Sequence, residues 1–367
     1  MPIRLGPVIL SLILSVLIGF VVARGGGSGS AAGVRERPVI GLSLDTLKEE
    51  RWQRDRDTFV AACTKLGADV RVVSANSDDR TQTSDIESLI SQRVDCLVVV
   101  PHDGAAMAGA VDRAAVAGIP VMAYDRLITG TSKLDLYVTF DNVTVGRQQA
   151  EFLAQRFAGR NWKVVRIYGS PSDNNAKLFK QGQDEILNPL IKAGQVQVVH
   201  EDWAIDWKPE NGKKITSAAI TRYGEAGFDA ILASNDGTAA GAIEALREAG
   251  MVKRVVVTGQ DAELAAVQRI ALDEQAMTIY KPLPVLAKQA AELAVRMAQR
   301  KPVVARMETN NGPSQVPSVF AAVQTVTKEN IMSTVVAESF HTYEAIFGNM
   351  PADKRPPKPA ALPEVKH

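Results

Sequence analysis

The sequence predicts an α/β fold of two doubly wound parallel-sheet lobes joined by a hinge. Short apolar strands alternate with amphipathic helical stretches along most of the chain, which is the order of a parallel βαβ series. Uninterrupted apolar runs such as residues 97–100 are typical of strands that helices cover on both faces. The alternation restarts near residue 136, so the chain builds two such units.

The first unit contains four strands and the helices between them. Gly67 and Gly118 each follow a helical stretch, where glycine readily adopts the left-handed conformation that ends a helix. The expected elements are, in order, strand 39–44, helix 50–66, strand 70–73, helix 83–92, strand 96–100, helix 105–117 and strand 119–123.

The second unit repeats this alternation with further strands and helices. The expected elements are strand 136–140, a helix from 143, strand 163–168, helix 175–190, strand 196–199, helix 210–223, strand 230–233, helix 238–249, strand 255–258, helix 264–271 and strand 277–280.

A long helix at 284–299 and a strand near 319–326 come after both units are largely built, so the chain crosses between the lobes more than once. The loops at the carboxyl ends of the strands should face each other across a cleft, where open α/β sheets bind ligands. The expected domains are an N-terminal lobe of residues 37–141 and 282–312 and a C-terminal lobe of residues 142–281 and 313–347.

The two ends of the chain differ in composition from the body. Residues 1–36 place Arg4 before a short apolar run and a Gly/Ser-rich stretch, which is the pattern of an export signal cleaved after Ala23 or Ala32, or of an uncleaved anchor with a flexible tether. The body is then periplasmic, either free or tethered to the cytoplasmic membrane. Residues 348–367 are rich in proline, lysine and alanine, so we expect a disordered tail.

Two cysteines, Cys63 and Cys96, are too few for a disulfide framework or a four-cysteine metal site. Cys63 falls on the apolar face of a helix and Cys96 inside a strand, which favours thiols packed as small hydrophobes. A disulfide between them stays open, because the sequence does not fix their separation.

The charge balance disfavours polyanionic partners. The chain has 42 basic and 41 acidic residues and a net charge of +1, so it offers no electrostatic field that would attract nucleic acid.

The sequence lacks the common enzyme motifs. No Walker loop or Gly-x-Ser-x-Gly elbow is present, and the four histidines lack paired spacing. We therefore expect a monomer that binds a neutral small ligand, with no catalytic residues, no cofactor and no metal.

Polar side chains with hydrogen-bonding groups recur at the ends of strands in both halves. Sugar hydroxyls are donors and acceptors at once, so carboxylate, amide and guanidinium groups can bridge neighbouring hydroxyls with two hydrogen bonds. A flat aromatic ring can cover the C–H face of a pyranose. The strand-end segments are residues 48–55, 124–126, 169–175, 202–207, 234–237, 259–261 and 280–282.

Each of these residues also has a purely structural interpretation. Asp173 and Asp236 could cap the helices that follow them, and Arg51 could be a solvated helix charge. Trp203 is expected in the core, because it closes an apolar strand. The recurrence of the pattern in both halves favours a site in the cleft.

From about residue 37 to 347 the sequence resembles the periplasmic sugar-binding proteins of ABC transporters, most closely those specific for D-xylose. The resemblance implies the type 1 fold of these proteins, a monosaccharide ligand and an ABC transporter permease as partner. It rests on the segments Glu50-Arg51-Trp52-Gln53, Ala123-Tyr124-Asp125-Arg126, Gly169-Ser170-Pro171, Asp173-Asn174-Asn175-Ala176-Lys177, Trp203 through Asn211, Ser234-Asn235-Asp236, Gly259-Gln260-Asp261-Ala262 and Tyr280-Lys281-Pro282.

The resemblance also assigns roles to residues. It implies that the N-terminal lobe contributes Arg51, Asp125 and Arg126 to the sugar, and that Lys281 completes the contacts at the hinge. Trp52 and Trp207 would sandwich the sugar ring. The contacts implied from the C-terminal lobe are Asp173, Asn175, Asn235 and Asp261.

Some of these segments are shared with receptors for glucose, galactose or arabinose, and these sugars stay open. Arg51-Trp52, Trp207 and Tyr280-Lys281-Pro282 favour D-xylose. His102 stands where such receptors usually have tyrosine, and the Gly-rich and Pro-rich ends depart from the family pattern. A sensor of the same fold, signalling to a kinase or chemoreceptor, is the alternative to a transport receptor.

Overall fold

The computed structural model describes residues 37–358, which form two α/β lobes. The predicted export segment at residues 1–36 and the end of the predicted tail at residues 359–367 lie outside the described residues. Within residues 37–358, none of the helices combines the length and the apolar character that crossing a membrane requires.

Strands and helices alternate as the sequence predicts. The strands are β1 (Val39–Leu44), β2 (Asp69–Ser74), β3 (Cys96–Val99), β4 (Val121–Tyr124), β5 (Leu136–Phe140), β6 (Trp162–Tyr168), β7 (Val196–Trp203), β8 (Ala230–Ala233), β9 (Val256–Val257), β10 (Met277–Tyr280), β11 (Met307–Asn310), β12 (Gln315–Ala321) and β13 (Gln324–Thr327). The helices are α1 (Glu50–Lys65), α2 (Asp79–Ser91), α3 (Ala108–Val116), α4 (Asn142–Arg156), α5 (Asn174–Lys192), α6 (Pro209–Tyr223), α7 (Asp236–Glu248), α8 (Leu264–Ala271), α9 (Leu283–Ala298) and α10 (Tyr343–Phe347).

The N-terminal lobe contains a seven-stranded sheet in the order β11-β12-β5-β4-β3-β1-β2. Only the edge strand β11 runs antiparallel to its neighbour. The strands β3, β4 and β5 are buried along their whole length, as expected for strands covered on both faces. Helix α9 packs on α1.

The C-terminal lobe contains a parallel sheet in the order β7-β6-β8-β9. Ala276 N, directly before β10, donates to Val257 O of β9 at 2.9 Å, so β10 lies beside β9. Strand β13 pairs antiparallel with β10. Helices α4 and α5 pack closely, since a Cβ at Gly182 would lie 2.0 Å from the Val143 carbonyl oxygen. The expected fold of two α/β lobes is therefore confirmed.

The structure moves one of the predicted lobe boundaries. The sequence analysis treated residues 319–326 as one strand and began the final C-terminal-lobe segment at residue 313. Strand β12 instead pairs with β5 of the N-terminal lobe, and β13 pairs with β10 of the C-terminal lobe. The chain therefore passes from the first sheet to the second between Ala321 and Gln324, because β12 completes the first sheet before β13 joins the second.

The predicted disordered tail is wrong for its first part. Residues 348–358 follow helix α10 and include a short 3-10 turn, Ala352–Lys354. Tyr343 donates its hydroxyl to Pro356 O at 2.6 Å, and Arg355 Nε donates to Met350 O at 2.8 Å. Side-chain hydrogen bonds to backbone carbonyls and the buried Met350 hold this segment although its composition is poor in apolar residues.

Cys63 and Cys96 are free and buried. Burial raises the pKa of the Cys63 thiol to about 12 and that of Cys96 further still. Both side chains lie in the N-terminal-lobe core, as the simpler interpretation of the sequence expected.

Candidate functional site

All ten residues predicted for the site line one cavity in the cleft between the lobes. The cavity encloses about 40 Å³. Its lining includes Arg51, Trp52, Asp125, Arg126, Asp173, Asn175, Trp207, Asn235, Asp261 and Lys281. Strand ends from both sheets meet there, so the sequence analysis placed these residues together correctly; their individual roles toward a ligand stay predictions.

Arg51 joins the two lobes through its guanidinium group. Its Nη2 lies 2.7 Å from Asp125 Oδ2, and its Nη1 lies 3.3 Å from Asp261 Oδ1 across the cleft. Asp55, one helical turn further along α1, approaches Nη2 at 3.3 Å and accepts a hydrogen bond from the Tyr124 hydroxyl at 2.7 Å. Arg51 is therefore a buried, positioned group and not the solvated helix charge of the structural alternative.

Arg126 forms a second connection between the lobes. Its Nη1 lies 2.7 Å from Asp45 Oδ2, and its Nε lies 3.0 Å from Asp173 Oδ2 in the opposite lobe. Nη1 also donates to the Pro101 carbonyl at 3.2 Å. His102 Nδ1 lies 3.0 Å from the other oxygen of Asp45. Asp45 thus fixes the direction in which Arg126 points.

Asp173 and Asn175 bring the start of α5 into the cleft. Asp173 caps the helix by accepting from Asn175 N at 2.9 Å, and it also receives Trp207 Nε1 at 3.1 Å. Asn175 Nδ2 donates to the carbonyl oxygen of Asp125 at 3.0 Å. Asp173 therefore both caps the helix and lines the cavity.

The indole of Trp207 lies directly over Gly169. A Cβ at Gly169 would stand 1.9 Å from Trp207 Cη2, so only glycine allows this approach. Trp207 also meets Phe179 edge to face, with ring centroids 6.2 Å apart. The guanidinium of Arg51, in contrast, lies over the ring of Trp52, with Arg51 Cζ 4.1 Å from the ring centroid. The predicted sandwich of a sugar between the two indoles stays a proposal.

Asp261, Lys281 and Asn235 complete the site from the C-terminal lobe and the hinge. Lys281 Nζ lies 3.4 Å from Asp261 Oδ1, and Lys281 is 1% exposed. Asn235 caps α7 by accepting from Thr238 N at 2.9 Å. Asp236 is no cap: its carboxylate accepts from the Thr278 hydroxyl, Gln275 Nε2 and Glu263 N.

Several site residues have left-handed backbone conformations that side chains disfavour. The φ angles are 63° at Asp125, 58° at Trp207 and 97° at Asp261. Such residues cost of order 1–3 kcal/mol each and persist where the surrounding structure determines them. Three positions of this kind around one cavity indicate that the site is held in place by its neighbours.

Burial and neighbouring charges pull the pKa values of the site carboxylates in different directions. Burial alone would raise the pKa of Asp125, but Arg51 and Lys281 outweigh it and the pKa is lowered. Burial raises the pKa of Asp55 to about 6 despite the Arg51 guanidinium. The hydrogen bond to Asp45 raises the pKa of His102. Asp125 is thus held ionised between its cationic neighbours.

A family model for a periplasmic binding protein domain matches residues 40–302. The chain belongs to the periplasmic binding protein family. The D-xylose-binding periplasmic protein of Haemophilus influenzae is 44% identical over 308 residues, covering 84% of this chain and 92% of that protein. The protein of the same description from Escherichia coli is 44% identical over 302 residues, covering 82% and 90%.

A solved structure of the same type supports the fold. The carbohydrate transporter solute-binding protein of Chloroflexus aurantiacus, in complex with D-glucose, superimposes with a TM-score of 0.81 at 31% identity, covering 86% of this chain and all of that one.

Among residues 37–358, no group of three His, Cys, Asp or Glu side chains is arranged to hold a metal ion.

The cleft of this periplasmic binding protein also contains residues that the sequence analysis missed as site residues. Asp45 directly follows β1, and His102 is the third residue after β3, so the same strand-end signal could have found both. Phe179 lies inside α5 and Glu263 two residues after Asp261. A buried phenylalanine within a helix is typical of a core position, so no sequence signal marks Phe179. Trp203 lies against Tyr168, with ring centroids 4.9 Å apart, and does not line the cavity.

Proposed function

We propose that this chain is a receptor for a monosaccharide, with D-xylose as the preferred ligand, that closes two lobes around the sugar and delivers it to an ABC transporter permease. It acts in the periplasm as a carrier and catalyses no reaction. The relatives named above, which bind D-xylose by their description, cover most of the chain, and this coverage supports the proposal.

The observation that carries the proposal is the array of paired charged groups that spans the cleft. Arg51, Arg126 and Asn175 each contact both lobes. Carboxylate and guanidinium groups can hold pairs of neighbouring hydroxyls, and Trp207 offers a flat apolar face. A neutral, polyhydroxylated ring satisfies this combination, whereas an anionic ligand would compete with the carboxylates that already pair with the cations.

Three buried atoms of the cavity lining make neither a hydrogen bond nor an ion-pair contact within the described residues. One is a donor, Nε of Arg51, and two are acceptors, Oε2 of Glu49 and Oε1 of Gln260. A buried polar atom without a partner costs free energy. Sugar hydroxyls can accept from the donor and donate to the acceptors, which supports a ligand carrying several hydroxyl groups.

Entry of the sugar requires the lobes to separate. The enclosed volume of about 40 Å³ is smaller than the cavity of about 150 Å³ that holds benzene in an engineered protein. The cross-lobe pairs Arg51–Asp261 and Arg126–Asp173 must therefore part to admit a ring. The sugar then bridges them and stabilises the closed arrangement, because it contacts groups of both lobes at once.

Titration of the purified protein with D-xylose, D-glucose, D-galactose, L-arabinose and D-ribose tests the ligand. Calorimetry gives the affinity, and tryptophan fluorescence includes the signal of Trp52 and Trp207 in the cavity lining. We expect D-xylose to bind in the micromolar range or tighter, which is about −8 kcal/mol. Tighter binding of another sugar would refute the xylose preference alone, and no binding of any sugar would refute the receptor.

Uptake measurements separate transport from sensing. A deletion of the gene should abolish uptake of D-xylose at low concentration, and the wild-type gene should restore it. Normal uptake in the deletion strain, with an altered transcriptional response to the sugar, would contradict delivery to a permease.

A further inference from the structure

The C-terminal segment Glu338–Phe347, here termed the strap, contacts both lobes next to the cross-lobe ion pair. On the N-terminal-lobe side, Arg54 of α1 donates to the Phe340 carbonyl at 2.8 Å, and its guanidinium lies 4.4 Å from the centre of the Phe340 ring. Arg54 follows Arg51 by one helical turn. The strap is therefore fixed to the helix that carries one member of the Arg51–Asp261 pair.

On the other side the strap contacts the residue that follows Asp261. His341 Nε2 lies 2.7 Å from the carbonyl oxygen of Ala262. Because a carbonyl only accepts, Nε2 must carry the proton. His341 is 6% exposed, so this hydrogen bond is shielded from water. Gln268 of α8 adds a second connection by donating to the Ala345 carbonyl at 2.7 Å.

The turn at Asp261 and Ala262 needs external support. The φ angles of these two residues are 97° and 50°, both in the left-handed region that side chains disfavour. The amide of Asp261 donates to Ile279 O at 2.8 Å, and that of Ala262 approaches Thr278 Oγ1 at 3.2 Å. These bonds hold the two amides, and His341 holds the carbonyl at the end of the turn.

We propose that His341 is a positioning residue for sugar binding: through the Ala262 carbonyl it holds the strained turn that presents Asp261 to Arg51, Lys281 and the ligand. The inference rests on the proposed sugar receptor, since it assigns a role in the same site. Burial lowers the pKa of His341, so the ring is neutral near pH 7 and its single proton occupies Nε2.

Sugar affinity of His341 variants tests the role. In His341→Ala the buried Ala262 carbonyl loses its donor, and we expect D-xylose affinity to fall about tenfold. His341→Gln should restore affinity to within about twofold, because its side-chain amide can donate to the same carbonyl. The matched control is Gln268→Ala, which removes the other bond between strap and C-terminal lobe but leaves the turn untouched. We expect its affinity to stay within about twofold of wild type.

Hydrogen exchange in the sugar-free protein gives a readout that does not depend on the ligand. Amides of residues 260–263 should exchange faster in His341→Ala, but not in Gln268→Ala. If the wild-type protein binds no sugar, the proposed function fails, and this exchange difference still decides the inference. If His341→Ala does not fold, His341→Asn replaces it, because asparagine is too short to reach the carbonyl.

A purely structural role makes different predictions. His341→Ala and Gln268→Ala would then lower the melting temperature alike, without a difference in affinity and without rescue by glutamine. Unchanged affinity and unchanged exchange at residues 260–263 in His341→Ala would overturn the proposal.

Discussion

Replacing Asp261 with alanine removes the carboxylate that faces two buried cations. Asp261 Oδ1 lies 3.3 Å from Arg51 Nη1 and 3.4 Å from Lys281 Nζ. Arg51 keeps Asp125 at 2.7 Å and Asp55 at 3.3 Å. Lys281 has Asp261 as its ion-pair partner within 4 Å among the described residues, and only 1% of its surface is exposed. The variant therefore leaves a buried ammonium group without its carboxylate.

The magnitude follows from the cost of a broken buried pair. Removing one partner of such a pair costs about 3–5 kcal/mol, and each 1.4 kcal/mol is a factor of ten in affinity. When the lobes open, water can hydrate Lys281, so most of this cost falls on closure. We expect D-xylose affinity to fall at least about 100-fold, with a smaller loss of thermal stability in the sugar-free protein.

Calorimetry with D-xylose and thermal melts of three variants separate these effects. Asp261→Asn keeps the shape of the side chain and one acceptor oxygen, so its affinity should lie between those of wild type and Asp261→Ala. The double variant Asp261→Ala/Lys281→Met removes the unpaired charge, so it should regain stability. Its affinity should stay below that of wild type, because it lacks two of the proposed sugar contacts. Asp261→Ala binding D-xylose within fivefold of wild type, or a double variant less stable than the single one, would refute the reasoning.

Two further changes test other parts of the site. Gly169→Ala places a Cβ 1.9 Å from Trp207 Cη2, so the indole must move, and calorimetry should show at least about tenfold weaker D-xylose binding. The control is Gly109→Ala, whose Cβ would contact only the flexible end of Arg113. This variant should bind D-xylose normally. Burial and the neighbouring Asp236 raise the pKa of Glu263 to about 8, so the folded protein binds more protons than the unfolded chain and loses stability as pH rises from about 5 to 8. The glutamine of Glu263→Gln cannot ionise. Scanning calorimetry should therefore show a melting temperature at least about 2 °C above that of wild type at pH 8, but little change at pH 5. An equal difference in melting temperature at both pH values would contradict this assignment.

The sequence predicted the location of the site better than its contacts. Parallel strands place their carboxyl ends at one edge, so polar residues after successive strands could be assigned to one cleft. The pairing of Arg51 with Asp261 joins positions 210 residues apart, and no local pattern encodes such a contact. Asp173 and Asn235 show a second limit, because each caps a helix and lines the cavity at once.

The errors at the C-terminal end have a common physical cause. Strand β11 contains no buried residue, and β12 buries only Val316 and Ser318. Their apolar signal is therefore weak, and their place is set by pairing at the edge of the first sheet. Residues 348–358 are held by hydrogen bonds to backbone carbonyls. Composition, which predicted disorder there, does not register bonds of this kind.

The charges of the cavity explain why its ligand should not be an anion. Asp125 and Asp261 oppose Arg51 and Lys281, while Asp45 and Asp173 oppose Arg126. A phosphorylated or carboxylated ligand would add a charge with no free counter-ion and would compete with pairs inside the protein, at a desolvation cost that buried ions rarely recover. A sugar adds no charge and can insert hydroxyls between partners that already attract each other. The pairs that oppose an anionic ligand therefore favour a polyhydroxylated one.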